Sequence, residues 1–316
     1  MVKILFMGTP DYGATVLRAL AGEYEIVAAV TQPDCWVGRG RCRCVSPPVK
    51  LVAAEHGIPV LQPERLRRDE DVLLAMEAAG ADVFVLAAYG QLLPERVLRM
   101  PPHGVVGVHA SLLPRWRGAA PVEAAILHGD AETGITLMLT DVGLDTGAML
   151  VKRSTPIGPD ETAGTVHDRL AVLGREAMEE TLRLLCAGEL APEEQDDAAS
   201  TYAPMMNKED GLIDWTRSAR AIHNQVRGLD PWPGAFSYLA GQVLKIAATS
   251  VDDEAGGVPG EVLSADTNGV RVACGQGALV VGELQLPGKK RLPAREFLSG
   301  CPLPVGTLSL IHISEP

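Results

Sequence analysis

The residues with the clearest chemical potential lie in the segment VHASLLPRWRG, residues 108–118. An apolar strand is predicted to end at His109, and a loop with Ser111, Pro114 and Gly118 follows directly. Ligands of a parallel sheet bind outside the carboxyl ends of its strands, so His109 is placed where a ligand would lie. A histidine that only makes structural hydrogen bonds is the alternative for this residue taken alone.

A second polar loop, DVGLDTG at residues 141–147, also follows an apolar strand. Two carboxylates and two glycines in a tight loop indicate a backbone held close to a ligand. An ordinary Asp/Gly turn is the alternative. If the two loops form one site, we expect His109 and Asp145 to lie within hydrogen-bond or one-water distance, at the carboxyl ends of adjacent parallel strands.

A third segment, residues 31–50, is rich in basic side chains and contains no acid after Asp34. Its basic residues are Arg39, Arg41, Arg43 and Lys50. A loop that alternates arginine with glycine can follow a phosphate backbone, and Trp36 can stack on a base. A solvated loop without a ligand explains the pattern equally well. The spacing of Cys35, Cys42 and Cys44 matches no usual zinc pattern, so we expect no metal.

The composition indicates a globular chain of about two domains, on a prior of ~150 residues each. The 316 residues are 47% hydrophobic and 22% charged, and the net charge of −12 excludes non-specific coating of nucleic acid. Any polyanion must therefore bind local basic patches. The sequence lacks an apolar run long enough to span a membrane and an export signal, so we expect a cytoplasmic protein without membrane contact.

Apolar runs that alternate with helical stretches predict an α/β domain with a Rossmann-like, mostly parallel sheet. Strands are predicted at residues 2–7, 26–30, 82–88, 105–108 and 135–139, and a helix at 162–185 closes the domain. After an acidic stretch, short strands are predicted at residues 236–239, 243–250, 261–263, 270–273 and 279–284. They indicate a small OB-like β-barrel. We place the first domain at 1–189, a linker at 190–208, the second domain at 209–307 and a non-native tail at 308–316.

These motifs together resemble the methionyl-tRNA formyltransferase family, from about residue 4 to residue 307. The resemblance rests on GTPDYG at 8–13, TQPD at 31–34, GRG at 38–40, AAYGQLLP at 87–94, HASLLPRWRGAAP at 109–121, DVGLDTG at 141–147, IDW at 213–215, DPWP at 230–233 and PGKK at 287–290. HxSLLPxxRG alone indicates only the wider superfamily that uses 10-formyltetrahydrofolate. The other motifs, with a β-domain, are more specific.

The resemblance implies formyl transfer from 10-formyltetrahydrofolate to the methionine amino group of initiator Met-tRNA, for translation initiation, by a monomer. In that reaction His109 donates a hydrogen bond to the developing oxyanion or carries the proton, and Asp145 orients its ring. The residues implied in folate binding are Ser111, Leu112, Leu113, Pro114, Ala88, Tyr89 and Gly90. Those implied in tRNA binding are Arg39, Arg41, Arg43, Lys289, Lys290 and Arg291, with Arg295 nearby.

Gly107 departs from the family pattern, which has Asn two residues before the histidine. Loss of one oxyanion donor typically lowers the rate by ~10²–10³-fold, so restoring Asn is expected to raise the rate. Gly107 leaves four alternatives open: a substitute donor from water or a neighbouring group, a weakly active enzyme, an inactive tRNA- or folate-binding homologue, and an error in the sequence at residue 107. The wider superfamily separately leaves open a formyltransferase that acts on a small amine.

Overall fold

The protein divides into two compact units, and each unit is made of three separate stretches of the chain. The computed structural model describes residues 2–37, 43–253 and 256–307. Of these, the first unit comprises residues 2–37, 43–118, 133–155 and 167–202, and the second comprises residues 119–132, 156–166, 203–253 and 256–307. The tail at 308–316 lies outside the described residues, and the predicted boundaries at 189 and 208 stay a prediction.

The secondary structure alternates strands and helices up to the long helix α6 and is mainly β afterwards. The elements up to residue 187 are β1 (Lys3–Gly8), α1 (Asp11–Ala21), β2 (Glu25–Val30), β3 (Cys35–Val37), β4 (Arg43–Val45), α2 (Pro48–Glu55), β5 (Val60–Leu61), α3 (Glu70–Ala78), β6 (Val83–Ala87), α4 (Glu95–Leu98), β7 (Val105–His109), β8 (Arg117–Gly118), α5 (Pro121–Leu127), β9 (Glu132–Leu139), β10 (Met149–Pro156) and α6 (Ala163–Ala187). The later elements are β11 (Tyr202–Ala203), α7 (Ala219–Gly228), β12 (Phe236–Leu239), β13 (Gln242–Asp252), β14 (Val262–Asp266), β15 (Gly269–Ala273), β16 (Ala278–Gln285), β17 (Leu292–Pro293) and α8 (Ala294–Gly300).

The first unit is built on a seven-stranded sheet in the order β10-β9-β7-β6-β1-β2-β5. The five strands from β7 to β5 pair in parallel, which confirms the predicted mostly parallel sheet. Strand β9, however, pairs with β7 in the antiparallel direction, contrary to the expected parallel neighbour. Buried apolar side chains from these strands form a core that includes Leu5, Met7, Val30, Phe84 and Val105.

Two glycines allow the turn between β1 and α1 to lie close to β6. A Cβ atom at Gly8 or at Gly13 would come 2.7 Å from the Ala87 carbonyl oxygen in each case. A backbone oxygen cannot move away from such a contact as a flexible side chain can. The GTPDYG segment therefore needs glycine at both positions so that the first βα turn can pack on the sheet.

The second unit contains an antiparallel sheet in the order β12-β13-β16-β15-β14, with β17 beside β16. This confirms the predicted second domain of short strands. Among the described residues, the first and last strands of this order, β12 and β14, do not pair with each other, so the sheet does not close into a barrel. Its core contains apolar side chains from α7, α8 and the sheet, among them Ile222, Val226, Leu244, Leu279 and Phe297. No helix in the described part of the chain is long and apolar enough to cross a membrane.

Candidate active site

His109 ends β7 and is almost fully buried, with both ring nitrogens facing oxygen atoms of the protein. Its Nε2 lies 2.8 Å from the carbonyl oxygen of Trp116. A carbonyl oxygen only accepts hydrogen bonds, so Nε2 carries the proton and donates. Its Nδ1 lies 3.6 Å from Oδ2 of Asp145, which is an ion-pair distance but too long for a hydrogen bond.

The predicted proximity of His109 and Asp145 is confirmed, but the predicted strand geometry is wrong. Strand β9 runs antiparallel to β7, with Leu139 opposite Val106 and Thr136 opposite His109. The carboxyl end of β9 therefore lies three residues, about 10 Å, away from His109 along β7. Asp145 reaches the histidine because the loop after β9 brings it back.

Asp145 is held at its side chain and at its backbone. Its Oδ2 accepts a hydrogen bond of 2.8 Å from the Gly118 amide, and its carbonyl oxygen accepts one of 2.8 Å from Gln195 Nε2. Its φ of 55° lies in the left-handed region, which costs a non-glycine residue about 1–2 kcal/mol. These contacts offset that cost and fix the carboxylate next to the imidazole.

Gln195 was not predicted, because it lies in the polar stretch that the sequence pattern indicates as a linker. Its Nε2 donates to the carbonyl oxygens of Asp145 and Gly147, each at 2.8 Å, and its Oε1 accepts from Arg117 Nε at 3.0 Å. One amide side chain thus joins the two polar loops of the first unit. A single glutamine in an aperiodic segment carries no sequence signal for this role.

The segment after His109 is a compact loop in which only part of the predicted folate-binding residues is accessible. Ser111 is fully buried and donates to the Arg115 carbonyl at 2.6 Å, and Leu113 is buried as well. The Thr136 hydroxyl donates to the Ser111 carbonyl at 2.7 Å and accepts from the Leu113 amide at 3.0 Å. Two of the four predicted side chains therefore shape the loop from inside, while Leu112 and Pro114 are partly exposed.

The segment Ala88-Tyr89-Gly90 directly follows β6. Its backbone has a positive φ at Ala88, 53°, and at Gly90, 86°. The Tyr89 carbonyl accepts from Thr9 Oγ1 at 2.9 Å and from Gln32 Nε2 at 3.2 Å. The Tyr89 side chain is 2% exposed, and burial raises the pKa of its hydroxyl, with a smaller effect of the Asp69 charge. The resemblance implied that this segment binds folate; the Tyr89 carbonyl accepts hydrogen bonds within the protein, and the folate contact stays a prediction.

Gly107 lies on β7 two residues before His109, so both positions face the same side of the sheet. A Cβ atom at residue 107 would come 2.9 Å from the Thr140 hydroxyl oxygen and 3.5 Å from Met138 Cε. The Thr140 hydroxyl is buried and has no hydrogen-bond partner among the described residues. The space next to residue 107 therefore contains the unpaired Thr140 Oγ1, which the sequence does not predict.

The base of the basic loop is fixed by Asp34. Lys50 Nζ lies 2.8 Å from this carboxylate, which also accepts from Gln62 at 2.8 Å and from Ser46 at 3.2 Å. The hydrogen bond from Gln62, followed by that from Lys50, lowers the pKa of Asp34. The positive charge of Lys50 is thus paired with the negative charge of Asp34. Arg39 and Arg41 lie outside the described residues, and β4 begins at Arg43.

The cysteines of this loop show no metal site in the described part of the chain. Cys35 and Cys44 are exposed free thiols on β3 and β4, and Cys42 lies outside the described residues. Nowhere among the described residues do three or more His, Cys, Asp or Glu side chains cluster as metal ligands would.

The predicted basic cluster of the second unit is smaller than its sequence suggests. Lys289, Lys290 and Arg295 are exposed. Arg291 instead forms an ion pair of 2.9 Å with Asp230 and lies 3.8 Å from Glu283. The hydrogen bond with Asp230 also raises the pKa of the Arg291 guanidinium. Among the described residues, Lys289, Lys290 and Arg295 therefore carry the positive charge of this cluster that no acidic side chain pairs.

Family models match both parts of the chain that carry these features. The model described as formyl transferase matches residues 2–182, and the model for the formyl transferase C-terminal domain matches residues 205–302. The chain belongs to the formyl transferase family. This confirms the resemblance inferred from the motifs and identifies the protein as an enzyme of that family.

Relatives within the formyl transferase family match over almost their whole length. A methionyl-tRNA formyltransferase of Citrifermentans bemidjiense is 54% identical and is matched over 97% of this chain and 96% of its own. A methionyl-tRNA formyltransferase of Geobacter sulfurreducens is 52% identical, and the match again covers 97% of this chain and 96% of that protein. An N-formyltransferase of Helicobacter canadensis, solved with folinic acid and dTDP-3-aminofucose, shares the fold with a TM-score of 0.67 at 17% identity, covering 89% of this chain and 98% of its own.

Proposed function

We propose that this protein transfers the formyl group of 10-formyltetrahydrofolate to the methionine amino group of initiator Met-tRNA. The observation that carries the proposal is the pair of buried His109 and partly buried Asp145, with Nδ1 3.6 Å from Oδ2, in a chain that is 54% identical to a methionyl-tRNA formyltransferase over 97% of its length. The folate donor is supported by the family and by the folinic acid bound to the Helicobacter relative. The tRNA substrate implies work in the cytoplasm, and we propose a monomer.

The arrangement suits a histidine that takes up a proton. The methionyl nitrogen attacks the formyl carbon and loses a proton, while the bond from that carbon to the donor nitrogen breaks and the donor nitrogen gains a proton. His109 offers Nδ1 for the transfer, because Nε2 already donates to the Trp116 carbonyl. The Asp145 carboxylate stabilises the resulting imidazolium.

A direct assay tests this proposal. Purified protein is incubated with 10-formyltetrahydrofolate and Met-tRNA, and formylmethionyl-tRNA is quantified after acid precipitation. Parallel reactions contain glycinamide ribonucleotide or a nucleotide-linked amino sugar in place of the tRNA. We expect product only with Met-tRNA, and a loss of about 10²–10⁴-fold in kcat for His109→Ala. Formylation of a small amine without product on tRNA would contradict the proposed substrate.

A further inference from the structure

The Thr140 hydroxyl lies on the same face of the sheet as His109. Gly107 pairs with Met138 across β7 and β9, and Thr140 follows Met138 by two residues, so the three positions share a face. The Thr140 amide donates to the Val105 carbonyl at 2.7 Å, which fixes the residue next to β7. Its Oγ1 lies 2.9 Å from the point where a side chain at residue 107 would begin.

The Thr140 hydroxyl is also free to donate a hydrogen bond, as far as the described residues show. It is shielded from water and has no hydrogen-bond partner among the described residues. A buried polar group without a partner costs about 1–3 kcal/mol, and a bound oxygen atom would remove that cost. Because this hydroxyl is shielded from water, a hydrogen bond that it makes is stronger than one in solvent.

His109 does not supply such a donor in this arrangement. Its Nε2 proton is directed to the Trp116 carbonyl, and its Nδ1 faces the Asp145 carboxylate. Formyl transfer nevertheless places negative charge on the formyl oxygen as the amine attacks. At residue 107 the chain has no side chain that could donate.

We infer that Thr140 is a catalytic residue that donates a hydrogen bond from Oγ1 to the formyl oxygen during transfer. The inference rests on the proposed formyl-transfer function. The hydroxyl keeps its proton throughout, so no further acid or base is required. Met138 Cε lies 3.5 Å from the residue 107 position, and this flexible side chain moves aside to admit the oxygen.

Thr133 provides a matched control. Its hydroxyl is buried and has no partner among the described residues, as for Thr140. Thr133 lies on β9, seven residues before Thr140, which directly follows that strand, so the two side chains point to opposite faces of the sheet. Replacement of either threonine by valine removes one unpaired hydroxyl at nearly constant volume, and only Thr140 lies on the His109 face.

The test compares T140V, T133V and T140S in the native chain and in the G107N variant, with 10-formyltetrahydrofolate and Met-tRNA as substrates. We expect T140V to lower kcat by about 10²-fold with little change in KM, because the bond strengthens only as charge develops. T140S and T133V keep kcat within about threefold. In the G107N chain an amide takes over as donor, so the effect of T140V falls to about threefold.

Two results would overturn the inference: equal kcat values for T140V and T133V, or the same loss from T140V with and without Asn at residue 107. Melting temperatures of all variants identify any loss caused by unfolding. A native chain that makes no product while G107N does would also reject Thr140 as the donor, yet retain the proposed reaction. If neither chain forms product, the proposed function itself fails.

Discussion

Asp145 combines a strained backbone with a carboxylate that the Gly118 amide holds in place. The replacement D145N keeps an oxygen that can accept from the Gly118 amide, so the loop retains its shape. It removes the negative charge 3.6 Å from His109 Nδ1. We therefore expect kcat to fall by about 10²–10⁴-fold, with an unchanged melting temperature, in steady-state formylation assays.

Asp141 provides the control for this prediction, because it belongs to the same loop. Its carboxylate accepts from the Thr146 hydroxyl at 2.7 Å and from the Gly143 amide at 3.0 Å, and it supports the loop from within. D141N is expected to lower the melting temperature by a few degrees and to keep kcat within a few-fold. Similar activity losses in the two variants would show that loop shape, rather than the charge of Asp145, determines the rate.

The polar segment around residue 195 acts as part of the first unit rather than as a spacer. Q195L removes the donor to two carbonyls and the acceptor for Arg117. We expect the free energy of unfolding, measured by urea denaturation, to fall by about 2–3 kcal/mol, since three partly buried groups lose a hydrogen-bond partner. Gln285, which donates to the Lys289 carbonyl near the surface, is the control, and Q285L is expected to cost about 0.5 kcal/mol. Equal losses would contradict the role of Gln195.

Sequence patterns located most elements of the fold, since strands β1, β2, β6, β7 and β9 and helix α6 lie close to their predicted positions. The direction of β9 could not be predicted, because an apolar run buried on both faces is the same whether its neighbour is parallel or antiparallel. Strand β10 was missed, since its centre, Lys152 to Ser154, is polar and exposed.

The candidate site was only partly predictable, because some of its groups act through their positions in space. His109 and Asp145 belong to motifs, and their proximity follows from two loops that meet at one site. The Trp116 carbonyl and the Thr140 hydroxyl contribute through their positions in space, and neither a main-chain carbonyl nor an isolated threonine has a sequence signature.

At the scale of the whole molecule, the charge of −12 requires that tRNA contacts depend on local basic patches. We expect R41E and K289E each to weaken tRNA binding and to reduce the slope of log Kd against log salt by about one or more. K152E, at an exposed position of β10, changes the net charge equally and is expected to have a much smaller effect. Filter binding at several salt concentrations measures all three. Equal effects of K152E and K289E would indicate a response to net charge alone.

The buried His223 links the stability of the second unit to pH. Burial lowers its pKa, with smaller effects in the same direction from Arg227 and Arg220, while the Pro159 carbonyl and Asp160 act in the opposite direction. The unfolded chain binds a proton near pH 6.5, whereas folded His223 stays neutral to lower pH. Stability is therefore present above pH 6.5 and is lost as the pH falls through the folded pKa.

Thermal melts between pH 8 and pH 5 test this linkage. We expect the melting temperature of the native chain to decrease below pH 6.5. H223Q, which can still hydrogen-bond to the Pro159 carbonyl and the Thr249 hydroxyl, is expected to have a flatter profile. Parallel curves for the two proteins would assign the pH dependence to other groups.

The contacts of Gln195 with Asp145 and Gly147 also determine when the site can mature on the ribosome. A nascent chain that has emerged only to residue 189 already contains His109 and Asp145 but lacks the amide that holds the aspartate loop. Domains generally fold as units as the chain emerges during synthesis. We therefore expect completion of the site to depend on a residue that is translated 50 positions after Asp145, so that a pause before codon 195 leaves the sheet formed and the aspartate loop unsupported.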